Sequence, residues 1–195
     1  VQAGVTTVVT APGSANPVGG QAAAIKTWGR RIDDMIVKAP LCVKFALGEN
    51  PKTCYKDRDE TPITRMATAA IIREALYKAK EYGEKLARAA QDPDQDPPEY
   101  DMKCEALLPV LRREVQAHFH AHRADDIFTA IRIAKEFDLD YVIVHGTEAH
   151  LIADILQSEG ARVITGPSLG DRCKPELANL SFETPGVLNR AGVLC

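Results

Sequence analysis

The stretch that decides the fold runs from Val115 to Thr165 and reads VQAHFHAHRADDIFTAIRIAKEFDLDYVIVHGTEAHLIADILQSEGARVIT. Short β-branched runs alternate in it with segments whose apolar residues recur every three or four positions. The pattern predicts three strands and two helices, namely strands Val115–His120, Tyr141–His145 and Arg162–Thr165 and helices Ala124–Phe137 and Glu148–Ser158. Strands that alternate with helices lie parallel, with right-handed crossovers, in a barrel or a doubly wound sheet. We therefore expect an α/β fold.

The N-terminal half adds strands and one long helix. Val5–Thr10 is expected to form a buried strand, and the Gly- and Pro-rich segment 11–21 the loop that follows it. Met35–Val37 and Cys42–Leu47 are expected to form two more buried strands. Apolar residues along one face of 64–90 predict a long amphipathic helix.

The whole chain, residues 1–195, is expected to form one domain, since this length is enough for one hydrophobic core. Three prolines within Gln91–Pro98 end the long helix, and we expect an exposed Pro- and Asp-rich loop at 91–101. A second helix is predicted at Met102–Arg113.

Composition excludes several function classes. The chain has 24 Lys and Arg against 27 Asp and Glu, a net charge of −3, so it lacks the basic surface that nucleic acids require. No apolar run approaches the roughly 20 residues that span a bilayer, and no signal-peptide pattern is present at Val1–Val5. The 5 cysteines lack any C-x-x-C spacing, which favours reduced thiols. We expect a soluble, cytoplasmic protein without nucleic-acid or membrane partners; a homo-oligomer remains open.

Histidines mark the ends of two predicted strands. All 5 histidines of the chain lie between His118 and His150, and His120 and His145 end consecutive strands. Because neighbouring parallel strand ends are about 5 Å apart, these two side chains can converge on one metal ion. The alternative is that the histidines hydrogen-bond loops or bind a substrate directly.

Lys44 interrupts the otherwise apolar strand Cys42–Leu47, and a buried ammonium is costly without a partner. Two interpretations remain open from the strand alone. Burial lowers the pKa of a lysine, which permits a nucleophilic or carbamylated form. The other interpretation is an ion pair with Glu49 or another nearby acid.

Polar residues follow the predicted strands. Glu49 and Asn50 come after the Lys44 strand, and His122 and Arg123 come after the His120 strand. Active sites of parallel α/β folds are built from such carboxyl-end loops. The chain has no H-E-x-x-H, so the zincin motif is missing.

Five segments together resemble a known family, namely Ala3–Val8, Lys44–Lys52, His120–Ile127, Val144–Glu148 and Leu188–Val193. They look like a metal-dependent amidohydrolase of the imidazolonepropionase-like group. The order of an H-A-H strand followed about 25 residues later by an H-G strand is more specific than any single motif.

The resemblance implies a (β/α)8 TIM barrel whose metal centre activates water to hydrolyse a C–N bond in a small amide or cyclic amide. It implies His120 and His145 as ligands of one or two divalent ions, most naturally Zn2+, and a carbamylated Lys44 as a bridging ligand. Lys44 and His145 are then the catalytic residues. The implied substrate or supporting contacts are His122, Arg123, Glu49 and Asn50. The choice between His120 and His122 as the ligand stays open.

The family also uses an H-x-H on its first strand and an Asp on its eighth strand, and this sequence has neither. We therefore expect an incomplete barrel of about strands two to seven, taken from a longer protein. Two alternatives of other classes remain, namely a non-catalytic barrel remnant that serves as a binding module and a metal-free lyase that forms a Schiff base on Lys44.

Overall fold

The computed structural model describes residues 2–92, 94–170 and 172–195, which form a mixed α/β fold on one six-stranded sheet. The strands are β1 Thr7–Thr10, β2 Val18–Lys26, β3 Ile36–Ala46, β4 Gln116–Ala121, β5 Tyr141–His145 and β6 Val163–Thr165. The helices are α1 Glu49–Lys56, α2 Arg65–Gln91, α3 Met102–Leu111, α4 Ala124–Glu136, α5 Ala153–Ser158 and α6 Thr184–Arg190. Short 3-10 turns lie at Ile32–Asp34, Ala149–Ile152 and Pro175–Leu177.

The strands follow one another across the sheet in chain order. β1, β2 and β3 pair antiparallel, whereas β3, β4, β5 and β6 pair parallel. The predicted alternation of parallel strands and helices is confirmed for the C-terminal half. The carboxyl ends of four successive strands therefore lie at one edge of the sheet.

The predictions for the first 26 residues are partly wrong. Val5–Thr10 is not a buried strand, because β1 is an edge strand whose residues are mostly exposed. Segment 11–21 is not a loop throughout, because its last residues begin β2. Gly19 in β2 lies so close to β3 that an added Cβ would be 3.2 Å from the Lys44 carbonyl oxygen. The glycine therefore permits close strand pairing, which the sequence pattern does not distinguish from a turn.

β3 replaces the two separate strands predicted at Met35–Val37 and Cys42–Leu47. Pro40 lies inside it, where the pairing with β2 changes register between Ala22 and Ala24. Since proline has no N–H to donate, it is tolerated at such an irregularity in the ladder.

Three of the predicted helices are confirmed to within two residues by α2, α3 and α4. Thr64 caps α2, since its side-chain oxygen accepts from the backbone N–H of Ala67. The helix predicted at Glu148–Ser158 is instead a 3-10 turn followed by α5. α1 was not predicted because Pro51 is its only buried residue, so it lacks an apolar face. None of the helices that the described residues form has both the length and the apolar character to cross a bilayer.

Residues 94–101, within the predicted loop, are mostly exposed and contain neither helix nor strand, and Gln91 is the last residue of α2. Pro93 lies outside the described residues.

Alternate residues of the parallel strands face the helices and form the core. Phe45 of β3 and Phe119 of β4 are fully buried, and their rings stack with centroids 5.0 Å apart. The same apolar cluster contains buried residues of α2 and α4. The opposite face of these strands carries Lys44, His118 and His120, because successive side chains alternate along a strand.

We expect Phe119→Ala to lower the free energy of unfolding by about 3–5 kcal/mol, because it removes a stacked ring from a closed core and leaves a cavity. The matched control is Phe182→Ala, whose ring is 72% exposed and whose loss should change stability by less than about 0.5 kcal/mol. Denaturant unfolding curves of both variants provide the measurement. Equal stability losses in the two variants would contradict the assignment of Phe119 to the core.

Candidate metal centre

Three histidine side chains meet at the carboxyl edge of the parallel strands. His120 lies near the end of β4, His122 one residue beyond that strand, and His145 at the end of β5. The ring centroid of His120 is 4.7 Å from each of the other two centroids, which are 4.9 Å apart. One ring nitrogen from each residue lies within 4.8 Å of the other two. We call these three residues the histidine triad.

The backbone at the end of β5 turns His145 into the triad. The strand register places His145 beside Ala121, whose side chain lies in the buried core, so strict alternation would direct His145 to the same face. His145 instead has a φ of +78°, a left-handed conformation that non-glycine residues rarely adopt. Such strain persists only where the surrounding structure holds it, and it is frequent at functional sites.

Gly146 completes this turn. It also has a positive φ, of 51°, and a Cβ atom on it would lie 2.6 Å from Cγ1 of Val163. Its N–H donates to the carbonyl oxygen of Ala121, which ties the exit of β5 to the end of β4. The dipeptide His145–Gly146 therefore fixes where the third ring of the triad lies.

His120 and His145 each keep one ring nitrogen without a hydrogen bond to any described residue. Nδ1 of His145 donates to the carbonyl oxygen of Gly166 at 2.6 Å, which leaves Nε2 of His145 with a lone pair. Nε2 of His120 lies 3.3 Å from the amide nitrogen of Asn50. Nδ1 of His120 is buried and has no partner within the described part of the chain. A buried polar atom without a partner is unusual and calls for an explanation such as an ion.

His122 differs from its two neighbours, because both of its ring nitrogens have partners. Nδ1 lies 2.7 Å from Oγ1 of the buried Thr147, and Nε2 lies 3.3 Å from Nζ of Lys174. The main chain is also held, since the N–H of Glu148 donates to the carbonyl oxygen of His122 at 2.9 Å.

All three imidazoles are held in the neutral form. Burial, followed by the neighbouring His122 and His145, lowers the pKa of His120 to about 2. Burial and the Lys174 ammonium lower the pKa of His122 to about 3, and burial lowers the pKa of His145. Neutral imidazole is the form that binds metal ions.

Lys44 lies on the same face of the sheet as His120 but further from the carboxyl edge, beside His118, which is two residues before His120 in β4. It pairs with His118 in the β3–β4 register, is 8% exposed, and donates from Nζ to Oγ of Ser14 at 3.2 Å. No ion pair among the described residues includes Lys44, so the pairing with Glu49 considered from the sequence is not observed. Burial lowers the pKa of Lys44.

A lysine and a glutamate that sequence reasoning missed lie beside the triad. Nζ of Lys174 donates to Oε1 of Glu176 at 2.6 Å and to Oδ1 of Asn50 at 2.8 Å. The Glu176 side chain is 0% exposed, and its Oε2 accepts the N–H of Glu49, the first residue of α1, at 2.9 Å. The available signal was the polar segment after the last strand, where Lys174 and Glu176 are two residues apart.

Gly48 allows this carboxylate to approach the start of α1. It has a φ of +82°, and an added Cβ would lie 2.8 Å from Oε2 of Glu176 and 3.1 Å from Oδ2 of Asp126. Asp126 is itself buried and accepts from Nε of Arg65 at 3.1 Å. Two buried carboxylates therefore enclose the loop between β3 and α1.

The triad forms one wall of a cavity of about 420 Å3, a size suited to a small molecule. Polar and apolar groups share its lining, which includes Ser14, Asn50, Thr147, Cys173, Lys174 and Leu177.

The structure brings four of the seven predicted site residues to this cavity, namely His120, His122, His145 and Asn50. Lys44 does not line the cavity, but it donates to Ser14, which does. Glu49 contributes its backbone N–H to Glu176, and Arg123 forms an exposed ion pair with Asp125 at 3.0 Å. Neither Glu49 nor Arg123 lines the cavity, and their contacts to a substrate stay predictions.

Two amidohydrolases resemble this chain. The crystal structure of an amidohydrolase from Thermotoga maritima MSB8 matches it with a TM-score of 0.94 and 47% identity, over 97% of this chain and 49% of that chain. The amidohydrolase tasK of Hapsidospora irregularis is 30% identical over 177 residues, which cover 78% of this chain and 18% of tasK. No protein-family model matches the sequence.

The chain thus spans about half the length of the solved relative and under a fifth of the curated one. The imidazolonepropionase-like assignment stays a prediction. At the level of the superfamily the predicted resemblance is confirmed: sequence identity to both relatives and superposition on one of them show that this chain belongs to the amidohydrolases and corresponds to part of their length.

Proposed function

We propose that this chain forms part of the (β/α)8 barrel of a metal-dependent hydrolase that cleaves a C–N bond in a small amide or cyclic amide. The observation that carries the proposal is that Nδ1 of His120 and Nε2 of His145 make no hydrogen bond to described residues, although they come from neighbouring strand ends. The four parallel strands in chain order support the barrel. An imidazolonepropionase-like activity is the narrower form of the proposal.

The donor set fits a divalent ion such as Zn2+. Neutral imidazoles suit zinc, and a catalytic zinc site keeps at least one position open beside its protein ligands. His120 and His145 would hold the ion, and a carbamylated Lys44 would be a further ligand of the metal centre. Binding through the buried Nδ1 of His120, which lacks a partner in the described structure, would place the ring proton on Nε2 and so would replace the 3.3 Å contact of Nε2 with the Asn50 amide nitrogen.

When bound, a divalent ion supplies Lewis acidity toward the scissile carbonyl and lowers the pKa of a coordinated water. The protein's own contribution is placement. The carbonyl oxygen of Gly166 fixes the proton of His145 on Nδ1, which keeps Nε2 available. Asn50 and His122, which line the cavity, are positioned to contact a substrate.

We expect the purified chain to bind Zn2+ with near-stoichiometric occupancy, and His120→Ala and His145→Ala each to lose at least about tenfold in affinity because each removes a ligand. Isothermal titration and elemental analysis after dialysis measure this. His118→Ala is the matched control, since His118 lies on the same face of β4 outside the triad and its loss should leave affinity unchanged. Equal affinity in all variants, or no bound zinc, would contradict the proposal and favour a non-catalytic binding module.

We expect Lys44 to carry a carbamate in the zinc-loaded chain, because a buried lysine of lowered pKa without a carboxylate partner is the form that reacts with carbon dioxide. Incubation with 13C-bicarbonate should give one carbamate signal by NMR. Lys44→Gln should abolish this signal, whereas Lys78→Gln, at a lysine with a 66% exposed side chain, should retain it. A signal that persists in Lys44→Gln would exclude Lys44 as the modified residue.

A Schiff-base lyase is the second candidate, because the same buried Lys44 amine would be a nucleophile toward a carbonyl substrate. Borohydride reduction in the presence of a small keto acid distinguishes the two. The lyase predicts covalent labelling of Lys44, and the hydrolase predicts none.

A further inference from the structure

Lys174 is fully engaged by three acceptors beside the triad. Its ammonium lies 2.6 Å from Oε1 of Glu176, 2.8 Å from Oδ1 of Asn50 and 3.3 Å from Nε2 of His122. A lysine has three N–H donors and no acceptor, so each donor here has one partner. The side chain is 23% exposed and borders the cavity, and its carboxylate partner is completely buried.

These contacts determine which nitrogen of His122 carries the proton. Because Lys174 can only donate, Nε2 of His122 accepts and is unprotonated. The proton of the neutral ring is then on Nδ1, which donates to Oγ1 of Thr147 at 2.7 Å. The Nε2 lone pair, the one lone pair of the ring that could bind a metal, is taken up by the ammonium.

We propose that Lys174 is a positioning residue that occupies the Nε2 lone pair of His122 and thereby keeps His122 from becoming a third histidine ligand. The inference deepens the proposed function and rests on it, since it concerns the ligand set of the same metal centre.

The spacing of the triad makes such an exclusion necessary. One nitrogen from each of the three rings lies within 4.8 Å of the others, which is close enough for a three-histidine site. A catalytic zinc site keeps one position open beside three protein ligands. With His120, His145 and the carbamylated Lys44 proposed above as those three, a fourth protein ligand would fill the open position. Lys174 blocks the third ring by its hydrogen bond, which occupies the lone pair that a metal ion would need.

Glu176 makes this arrangement stable. It neutralises Lys174 and is itself held by the N–H of Glu49 at the start of α1. Removing Lys174 alone would leave Glu176 buried and unpaired, which is strongly destabilising. The informative variant is therefore the double change Lys174→Met with Glu176→Met, which removes both charges together and leaves no donor near Nε2 of His122, from which Oε1 of Glu176 is 3.6 Å away.

The first test needs no substitution in the pair. In the metal-free chain, 15N NMR of the imidazole rings should place the His122 proton on Nδ1 with Nε2 unprotonated, with His122→Ala to assign the signal. The double variant should lose this preference and populate the Nε2–H tautomer. A proton on Nε2 of His122 in the original chain, or an unchanged tautomer in the double variant, overturns the proposal.

The second test uses Zn2+ alone as the probe. The double variant should bind Zn2+ at least about tenfold more tightly than the original chain, since His122 becomes available. Adding His122→Ala to the double variant should abolish that gain. The matched control, Lys135→Met with Glu159→Met, removes a distant ion pair and should leave zinc affinity and the His122 tautomer unchanged.

The two proposals fail separately. If the original chain binds no Zn2+, the proposed metal-dependent function is contradicted. A His122-dependent gain of zinc affinity in the double variant would still support the role of Lys174. A double variant that gains no affinity, or gains it equally without His122, overturns the role of Lys174 while the zinc binding of the original chain stands.

Discussion

The hydrogen-bonded register between β4 and β5 is the constraint on which the site depends. It pairs Ala121 with His145, so the last residue of one strand lies beside the last residue of the next. A slip by one residue would move every side chain of β5 to the other face of the sheet and would take the buried Ile143 out of the core. The register is fixed because Phe119 and Ile143, which it also pairs, are fully buried against the helices. Apolar packing on one face of the sheet thereby fixes the strand ends that carry the histidine triad.

Polar groups are buried at this edge of the sheet only where they have partners. Glu176 has Lys174 and a backbone N–H, Asp126 has Arg65, and His122 has Thr147. Each would be costly to bury alone. The exception among the histidines, Nδ1 of His120, stands out because its surroundings are otherwise satisfied.

The sequence predicts the fold best where periodicity is strong. α2, α4 and β5 follow from their apolar patterns, and His120 and His145 were found because they end predicted strands. β2 was partly missed because glycines that permit close strand pairing have the composition of a turn. The inward direction of His145 was not predictable, since alternation alone directs it to the helices. Lys174 was not predicted because two of its three partners, His122 and Asn50, are 52 and 124 residues away in the chain and meet it only in the folded protein.

Gly48 makes the loop after β3 intolerant of sequence change. Any L-residue there would need an unfavourable left-handed backbone and would also direct its Cβ at the Glu176 carboxylate. The neighbouring Asn50, in contrast, has a side chain that lines the cavity. A saturation library across this loop should therefore divide sharply, with glycine alone recovered at 48 while several polar residues are recovered at 50. Asn50 is thus a position at which selectivity for the cavity's ligand can be altered, whereas Gly48, two residues before it, permits no substitution.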